Sequence, residues 1–452
     1  MADPVILWFR QDLRLADQPA LLAAAEAGPV IPVYVLDDDG PGDWKIGGAQ
    51  RWWLHHSLAS LDASLREKGS RLILRRGPAA EVLTGLMDES GAGGIHALTH
   101  YEPWWRKSEA ALGDRLCLHD GNQLTRIEDV TTGSGQPFRI YSSFWKAAQG
   151  HLPPPHPEPA PRSIPAPSHW PKSETLASWQ LLPTKPDWST GFDTDWTPGE
   201  AAGQDRLKAV GELIGTYADA RNMPAKEGTT RLSPHLHFGE VSARAAWHAT
   251  GRHEATSFHQ ELAWRDFTRG VTLALPDYAE KNGRPRYDTL PWRKGAAAQR
   301  DLRAWQQGRT GYPIVDAGMR QLWQSGWMHN RVRMITASFL VKHLLLDWRE
   351  GERWFWDCLV DADYANNAVN WQWVAGTGVD ANMFSRIMAP LTQSEKFDAG
   401  DYIRHWVPEL KDVPDPAIHD PEDAGCRPKA YPDKIVGHRE ARERALAANR
   451  AV

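Results

Sequence analysis

The sequence predicts a two-part molecule, an N-terminal α/β domain built on a doubly wound parallel sheet and an all-α C-terminal domain. Three observations carry this. Over residues 5–120, short apolar runs alternate with helical patterns; residues 151–171 hold nine prolines; beyond residue 200 the apolar spacing is almost purely i, i+3, i+4.

In chain order, Val5–Phe9 is a short apolar strand, and Asp17 and Pro19 open an Ala/Leu-rich helix reaching Ala27. Val30–Leu36 is strand-like, Gly48–Lys68 an amphipathic helix, Arg71–Arg76 a strand and Ala79–Asp88 helical. Ile95–Thr99 is a further strand, from which a helical pattern leads to Leu116–Leu118. Strand, helix, strand at these lengths means βαβ units and a parallel sheet. Such sheets take ligands beyond the strand ends, at the switch in strand order. No GxGxxG follows the first strand, which argues against a dinucleotide site there, and Gly91–Gly94 reads as a turn. Proline fixes φ and removes a donor, so residues 151–171 predict an extended connector. Helical spacing then covers Gln204–Ala220, Ala243–Ala249, Ser257–Leu275 and Ala317–Leu346, with no repeat at solenoid period. The expected division is 1–130, a connector over 131–199, and 200–452.

Composition narrows the function. The chain has 452 residues, 41% hydrophobic and 24% charged, with formal net charge −5. That excludes wholesale disorder and a globally basic nucleic-acid coat, though not a local basic patch. No apolar run approaches a membrane span, and Asp3, Arg10 and Asp12 around the first apolar run do not form a signal peptide. A cytoplasmic protein is expected. Cys117, Cys358 and Cys426 are far apart without CxxC, so spacing gives neither a disulfide framework nor a zinc site. Tryptophan is the anomaly: 23 residues against 10 Tyr and 11 Phe. An indole N–H needs a partner when buried, so this excess points to stacking on planar ligands or to electron transfer.

Five constellations could carry chemistry. Gly228–Pro234 reads GTTRLSP, with Ser233 a good N-cap and Pro234 a good first helical residue. A helix start beside two Thr and Arg231 suits a pyrophosphate, and a plain capped helix is the ordinary alternative. Glu261, Trp264 and Arg265 share a helix face, as would a surface ion pair beside a core Trp. Asn330 and Met334 share a face among apolar neighbours, where an amide needs a specific partner. Asp363, Asn367 and Trp371 stand four apart, a polar and aromatic stripe where a buried helix normally shows an apolar one. Residues 281–309 interleave Tyr287, Trp292 and Trp305 with basic residues, a pattern for tracking phosphates and stacking bases, or for a solvated helix. His55, His56, His235 and His237 lack a metal-ligand pattern, and no Ser/His/Asp nucleophile is visible.

Taken together, WFRQDLRLAD, EGTTRLSPHLHFGE, ELAWRDF, TGYPIVDAGMRQLWQSGWMHNRVRM, DWREGERWFWD and NWQWVAGTG through QSEKFDAGDYIRHWVPEL resemble the photolyase/cryptochrome family. The likeness spans the chain in order and spacing and is strongest to bacterial cyclobutane pyrimidine dimer photolyases. It implies a Rossmann/flavodoxin-like antenna domain, a helical FAD-binding domain, and UV-damaged DNA containing pyrimidine dimers as partner of a monomeric, non-membrane enzyme. Tyr217, Thr229, Thr230, Arg231, Leu232 and Ser233 would bind FAD, chiefly its phosphates and ribityl chain. Glu261 and Arg265 would border flavin and lesion, Asp361 and Asp363 would contact the flavin, and Asn367 would face N5. An Asn has no ionisable proton to give, which favours anionic reduced flavin over the neutral radical. Trp371, Trp348 and Trp292 would be the inner, middle and outer stops for an electron, with the family's spacing departed from around Trp292. The cofactor would donate an electron to the dimer and recover it after the two carbon–carbon bonds split. Trp264 and Trp373 would pack on the extruded bases, Glu261 and Asn330 would bond the pyrimidine edges, and Arg331 and Gln393 would contact DNA.

Asn330 and Met334 stand where a (6-4) photolyase would carry histidines, which disfavours that lesion. A cryptochrome-type blue-light photoreceptor is the alternative, disfavoured by Asn at 367 where plant-like members carry Asp. The resemblance leaves room for a second, antenna chromophore without requiring one. Folate-binding members show Asn-Glu after Tyr-Glu, whereas this chain has Tyr101-Glu102-Pro103-Trp104-Trp105, which argues against methenyltetrahydrofolate. A deazaflavin, a second flavin, a ribityllumazine or an empty site stay open.

Overall fold

The computed structural model describes residues 2–381 and 383–452. Five parallel strands alternate with four helices: β1 (Val5–Phe9), α1 (Pro19–Ala27), β2 (Val30–Leu36), α2 (Gly48–Glu67), β3 (Ile73–Arg76), α3 (Ala79–Ser90), β4 (Ile95–Leu98), α4 (Pro103–Leu112) and β5 (Leu116–His119). Their order is β3-β2-β1-β4-β5, so the switch lies between β1 and β4. Val5 pairs with Val30 on one side of β1, and Ile6 with Ile95 on the other. β1 is buried throughout because helices cover both sheet faces. Alternate side chains therefore feed two cores: Val5, Leu7 and Phe9 pack with Leu21 and Trp52, while Ile6 and Trp8 pack with Leu83 and Leu86.

The proline-rich segment is largely without regular structure, between α5 (Tyr141–Ala148) and α6 (Phe192–Asp195), yet it is no free tether. Ile164, Trp179, Leu181, Phe192 and Trp196 are buried in the same core as Trp52, Phe238 and Trp327. Val30 N–H donates to Pro165 O at 2.7 Å, and Ile164 N–H to Lys68 O at 3.0 Å. The connector is thus glued to both halves.

The remainder is helical: α7 (Glu200–Ala220), α8 (Ser233–His237), α9 (Ala243–His248), α10 (Thr256–Ala274), α11 (Ala296–Gln306), α12 (Pro313–Ser325), α13 (Asn330–Ser338), α14 (Trp348–Cys358), α15 (Tyr364–Ala375), α16 (Pro390–Lys396), α17 (Gly400–Trp406) and α18 (His438–Arg450). α15 packs between α10 and α14, and α13 lies against both α12 and α15.

The single helix expected over Ala317–Leu346 is instead broken. Gly326 closes α12 at φ +65°, where a Cβ would meet Phe192 at 2.7 Å and Val360 at 2.8 Å, so only glycine fits. His329 Nδ1 then accepts from Arg331 N–H at 3.2 Å and starts α13, which passes into a π-helical turn at Phe339–His343. The break re-aims the chain so that Asn330, Arg333 and Met334 face the cavity described below. Among the described residues, no helix is long and apolar enough to cross a membrane.

Candidate active site

A cavity of about 560 Å³ lies among α7, α10, α13, α14 and α15. Its floor is the stripe on α15. Asp363 caps that helix, accepting from Asn366 N–H at 2.9 Å. Asn367 follows one turn on, its Nδ2 donating to Glu352 O at 3.0 Å, and Trp371 a turn later. All three line the cavity with Asp361. Asp361 accepts from Arg333 at 2.8 Å, and Asp363 pairs with buried Arg269 at 3.4 Å. Burial alone would push the Asp363 carboxyl up, but Arg269, Arg265 and His237 together hold it well below the usual carboxylate range. On α14, by contrast, burial pushes the Glu352 carboxyl well above that range, and neither oxygen has a partner.

One wall is the Glu261, Trp264, Arg265 face of α10, all three lining the cavity. Arg265 donates to Leu236 O at 3.0 Å, and burial, helped by Arg269, lowers its pKa to about 10. Tyr217 on α7 is buried and donates to the Glu261 carboxylate, which also pairs with Arg221. Opposite, Thr229–Leu232 form a loop in which Arg231 takes φ +50° and lays its guanidinium over Trp196 at 4.3 Å and Trp327 at 5.1 Å. The expected helix-start anion site is corrected here. α8 has only five residues, Leu232 precedes it, and Ser233 lies inside it accepting from Trp327 Nε1 at 3.3 Å. Thr229, Thr230 and Arg231, which precede that helix, all line the cavity.

Three buried polar atoms on the cavity residues have no protein partner: Arg231 Nε, Arg265 Nε and Asp361 Oδ1. A cationic donor on each of two walls and a carboxylate acceptor between them, unpaired and desolvated, fit a large ligand with both an anionic group and N–H edges, as a flavin dinucleotide has.

The cavity opens where Asn330 and Asn370 are exposed. Asn330 is thus solvated at the start of α13, and the buried amide expected from its apolar neighbours is corrected. Trp264, Trp373 and Met334 are half-buried around this opening. Arg331 lies off the cavity wall, bonded to Asn222 and stacked on Phe397 at 4.5 Å, and Gln393 precedes Phe397 by one turn on α16.

Trp371 is buried and lines the cavity. It rests on Gly351 of α14, where a Cβ would collide with the indole, so this approach requires glycine. Trp348 lies three residues before Gly351 on the same helix, buried, its Nε1 donating to Asn282 at 3.0 Å. Trp292 is half-buried beside Phe384 at 6.4 Å. Trp371 also meets Phe355 at 4.9 Å and Trp305 at 6.3 Å, a neighbour that sequence reasoning placed elsewhere. Tyr287 and Trp305 are fully buried, so the base-stacking stripe expected over residues 281–309 is corrected for both. Sequence reasoning also missed Tyr141, Arg221 and Arg333. Tyr141 packs its ring on Trp264 at 4.8 Å, and only Arg333, three residues after Asn330, left a spacing signal.

At the sheet's switch point, Arg10 bonds Glu109 at 2.7 Å and lies between Trp8 and Trp105, while Trp104 packs on Tyr364 of the helical half at 5.1 Å. The Pro103–Trp105 departure is thereby used for packing.

Residues 5–162 match the family model described as DNA photolyase, and residues 258–451 that of the FAD binding domain of DNA photolyase. The chain is 49% identical to a deoxyribodipyrimidine photo-lyase of Agrobacterium fabrum, over 99% of this chain and 98% of that one. It is 34% identical to Cryptochrome-1 of Arabidopsis thaliana, over 97% of this chain and 69% of that one. A crystal structure of a bacterial class III photolyase from Agrobacterium tumefaciens superposes with TM-score 0.94 at 48% identity, covering 100% and 98% of the two chains. An archaeal photolyase from Sulfolobus tokodaii, solved with two FAD molecules, gives 0.82 at 32% identity, covering 99% and 100%.

Proposed function

The chain belongs to the DNA photolyase family, and from that premise we infer that it is a light-driven repair enzyme splitting cyclobutane pyrimidine dimers in DNA. The observation carrying this is one cavity with unpaired charged groups inside and a rim of Glu261, Trp264, Asn330 and Trp373. The helical half binds FAD, which supplies light absorption and one-electron donation when bound and reduced. Thr229, Thr230 and Arg231, with Leu232, Ser233 and Tyr217 behind them, hold its phosphate and ribityl parts. Arg265, Asp361, Asp363 and Asn367 orient its ring. Asn367, an amide without a titratable proton, presents no acid to the ring's reactive edge.

At the rim, Trp264 and Trp373 offer flat apolar surface to a flipped-out base pair, whose damaged step is cheap to unstack. Glu261, steadied by Tyr217 and Arg221, accepts from pyrimidine N–H groups, Asn330 offers both a donor and an acceptor, and Met334 fills the apolar space beside them. Arg331 and Gln393 meet the DNA backbone. Trp371, Trp348 and Trp292 deliver the electron that readies the cofactor. We assign the units as 1–130, 131–199 and 200–452, and the protein as a cytoplasmic monomer. An antenna chromophore fits this reading, its identity open.

The test is illumination of the reduced protein with dimer-containing DNA, measuring restored pyrimidines. Restoration that requires light supports the enzyme; light-dependent partner binding without restoration would make it a cryptochrome-type receptor.

A further inference from the structure

The register of β5 against β4 pairs His96 with Cys117 and Leu98 with His119. Side chains at 96, 117 and 119 consequently share one sheet face, while Leu116 and Leu118 turn to the apolar core on the other. β5 is the sheet's edge strand; Cys117 is exposed and both imidazoles are half-buried. His96 Nδ1 and His119 Nε2 stand 3.0 Å apart, with ring planes 13° from parallel and centroids 5.2 Å apart. Two facing ring nitrogens at that distance share one proton between two lone pairs. The candidate donor atoms of the three residues all lie within 4.8 Å of one another.

We propose that His96, Cys117 and His119 form a binding site for a divalent ion of the zinc type, with a fourth position open to water or an exogenous ligand. The donor set is that of a borderline-soft ion, two imidazole nitrogens and a thiolate. Nitrogens each bound at the usual zinc distance in tetrahedral geometry lie about 3.3 Å apart. The observed pair therefore has to open by only a few tenths of an ångström as the ion replaces the shared proton. Exposed Asp120, next in sequence, adds negative charge nearby. Sequence spacing hid the site because its ligands come from two strands joined only by register. An ion there would clamp the edge strand to its neighbour, independently of the flavin cavity.

The experiment uses the FAD-loaded protein after chelator treatment, titrated with Zn²⁺ by calorimetry and with Co²⁺ by absorbance to the red of the flavin bands. One ion per chain with sub-micromolar affinity is expected, with a tetrahedral cobalt spectrum. Cys117→Ser or His96→Ala should each weaken binding by at least about tenfold, without FAD loss. Zn²⁺ should slow alkylation of Cys117 but not of Cys426, which is also exposed. Binding only at millimolar Zn²⁺, affinity unmoved by Cys117→Ser, or equal protection of both thiols would each overturn the site.

Discussion

Replacing Asp363 by Asn removes one charge and little else. The side chain keeps its shape and remains a good N-cap for α15, so the bond from Asn366 N–H survives. What is lost is the counter-charge to Arg269, which is buried with one nitrogen, Nη1, already unpartnered. Breaking a buried pair from one side costs about 3–5 kcal/mol. Here Glu102 and Asp266 also act on Arg269, which brings the expected loss to or below the lower end of that range, about 2–3 kcal/mol. For a helical unit of this size that lowers the unfolding midpoint by roughly 5–10 °C. The assay is thermal unfolding at pH 7, followed by circular dichroism and by release of flavin fluorescence. Because the Asp363 carboxyl is depressed in the folded state, its contribution is complete above the unfolded value of about 3.9 and vanishes as pH falls through the folded value. The gap between parent and Asp363→Asn should therefore narrow below about pH 4; between pH 8 and 5 it should widen slightly on acidification, because burial pushes the Glu102 carboxyl up to about 7 and the Asp363 charge raises it further, so Glu102 gains its proton more readily in the parent. An unchanged midpoint at pH 7, or a gap that goes on widening below about pH 4, would refute the reasoning. Asp363→Ala should cost about 1 kcal/mol more, because the cap goes too.

Trp371→Phe should cripple photoreduction of the oxidised flavin while chemically reduced protein still repairs DNA; transient absorption and a repair assay separate the two, and survival of both would remove Trp371 from the path. Glu261→Ala should lower repair yield with FAD retained, read by dimer conversion per absorbed photon, whereas loss of FAD would make Glu261 structural. Arg331→Ala should weaken DNA binding evenly across sequences and reduce the slope of log affinity against log salt by about 1, measured by titration at several salt concentrations.

The strands were legible because each is an apolar run bounded by Gly, Pro or Asp, and the cavity floor because Asp363, Asn367 and Trp371 repeat every four residues. What was hidden depends on contacts distant in sequence. The break at Gly326 is imposed by Phe192 and Val360, and no local pattern announces it. Arg333 with Asp361, and Arg221 with Glu261, are pairs between separate helices. Trp305 and Tyr287 looked like surface aromatics because charged residues flank them, yet the helical period turns them inward. The proline-rich connector read as extended, and it is; its burial follows from Ile164, Trp179 and Leu181, which composition alone passes over.

That connector sets how light could be gathered. Resonance transfer between two pigments varies with the angle between their transition dipoles as well as with their separation. A hinged tether would average that angle and waste favourable orientations. With Trp179 and Trp196 wedged into a core shared by sheet and helices, any pigment seated on the sheet holds one fixed bearing toward the flavin cavity, so its efficiency as a light collector is decided once, when the chain folds.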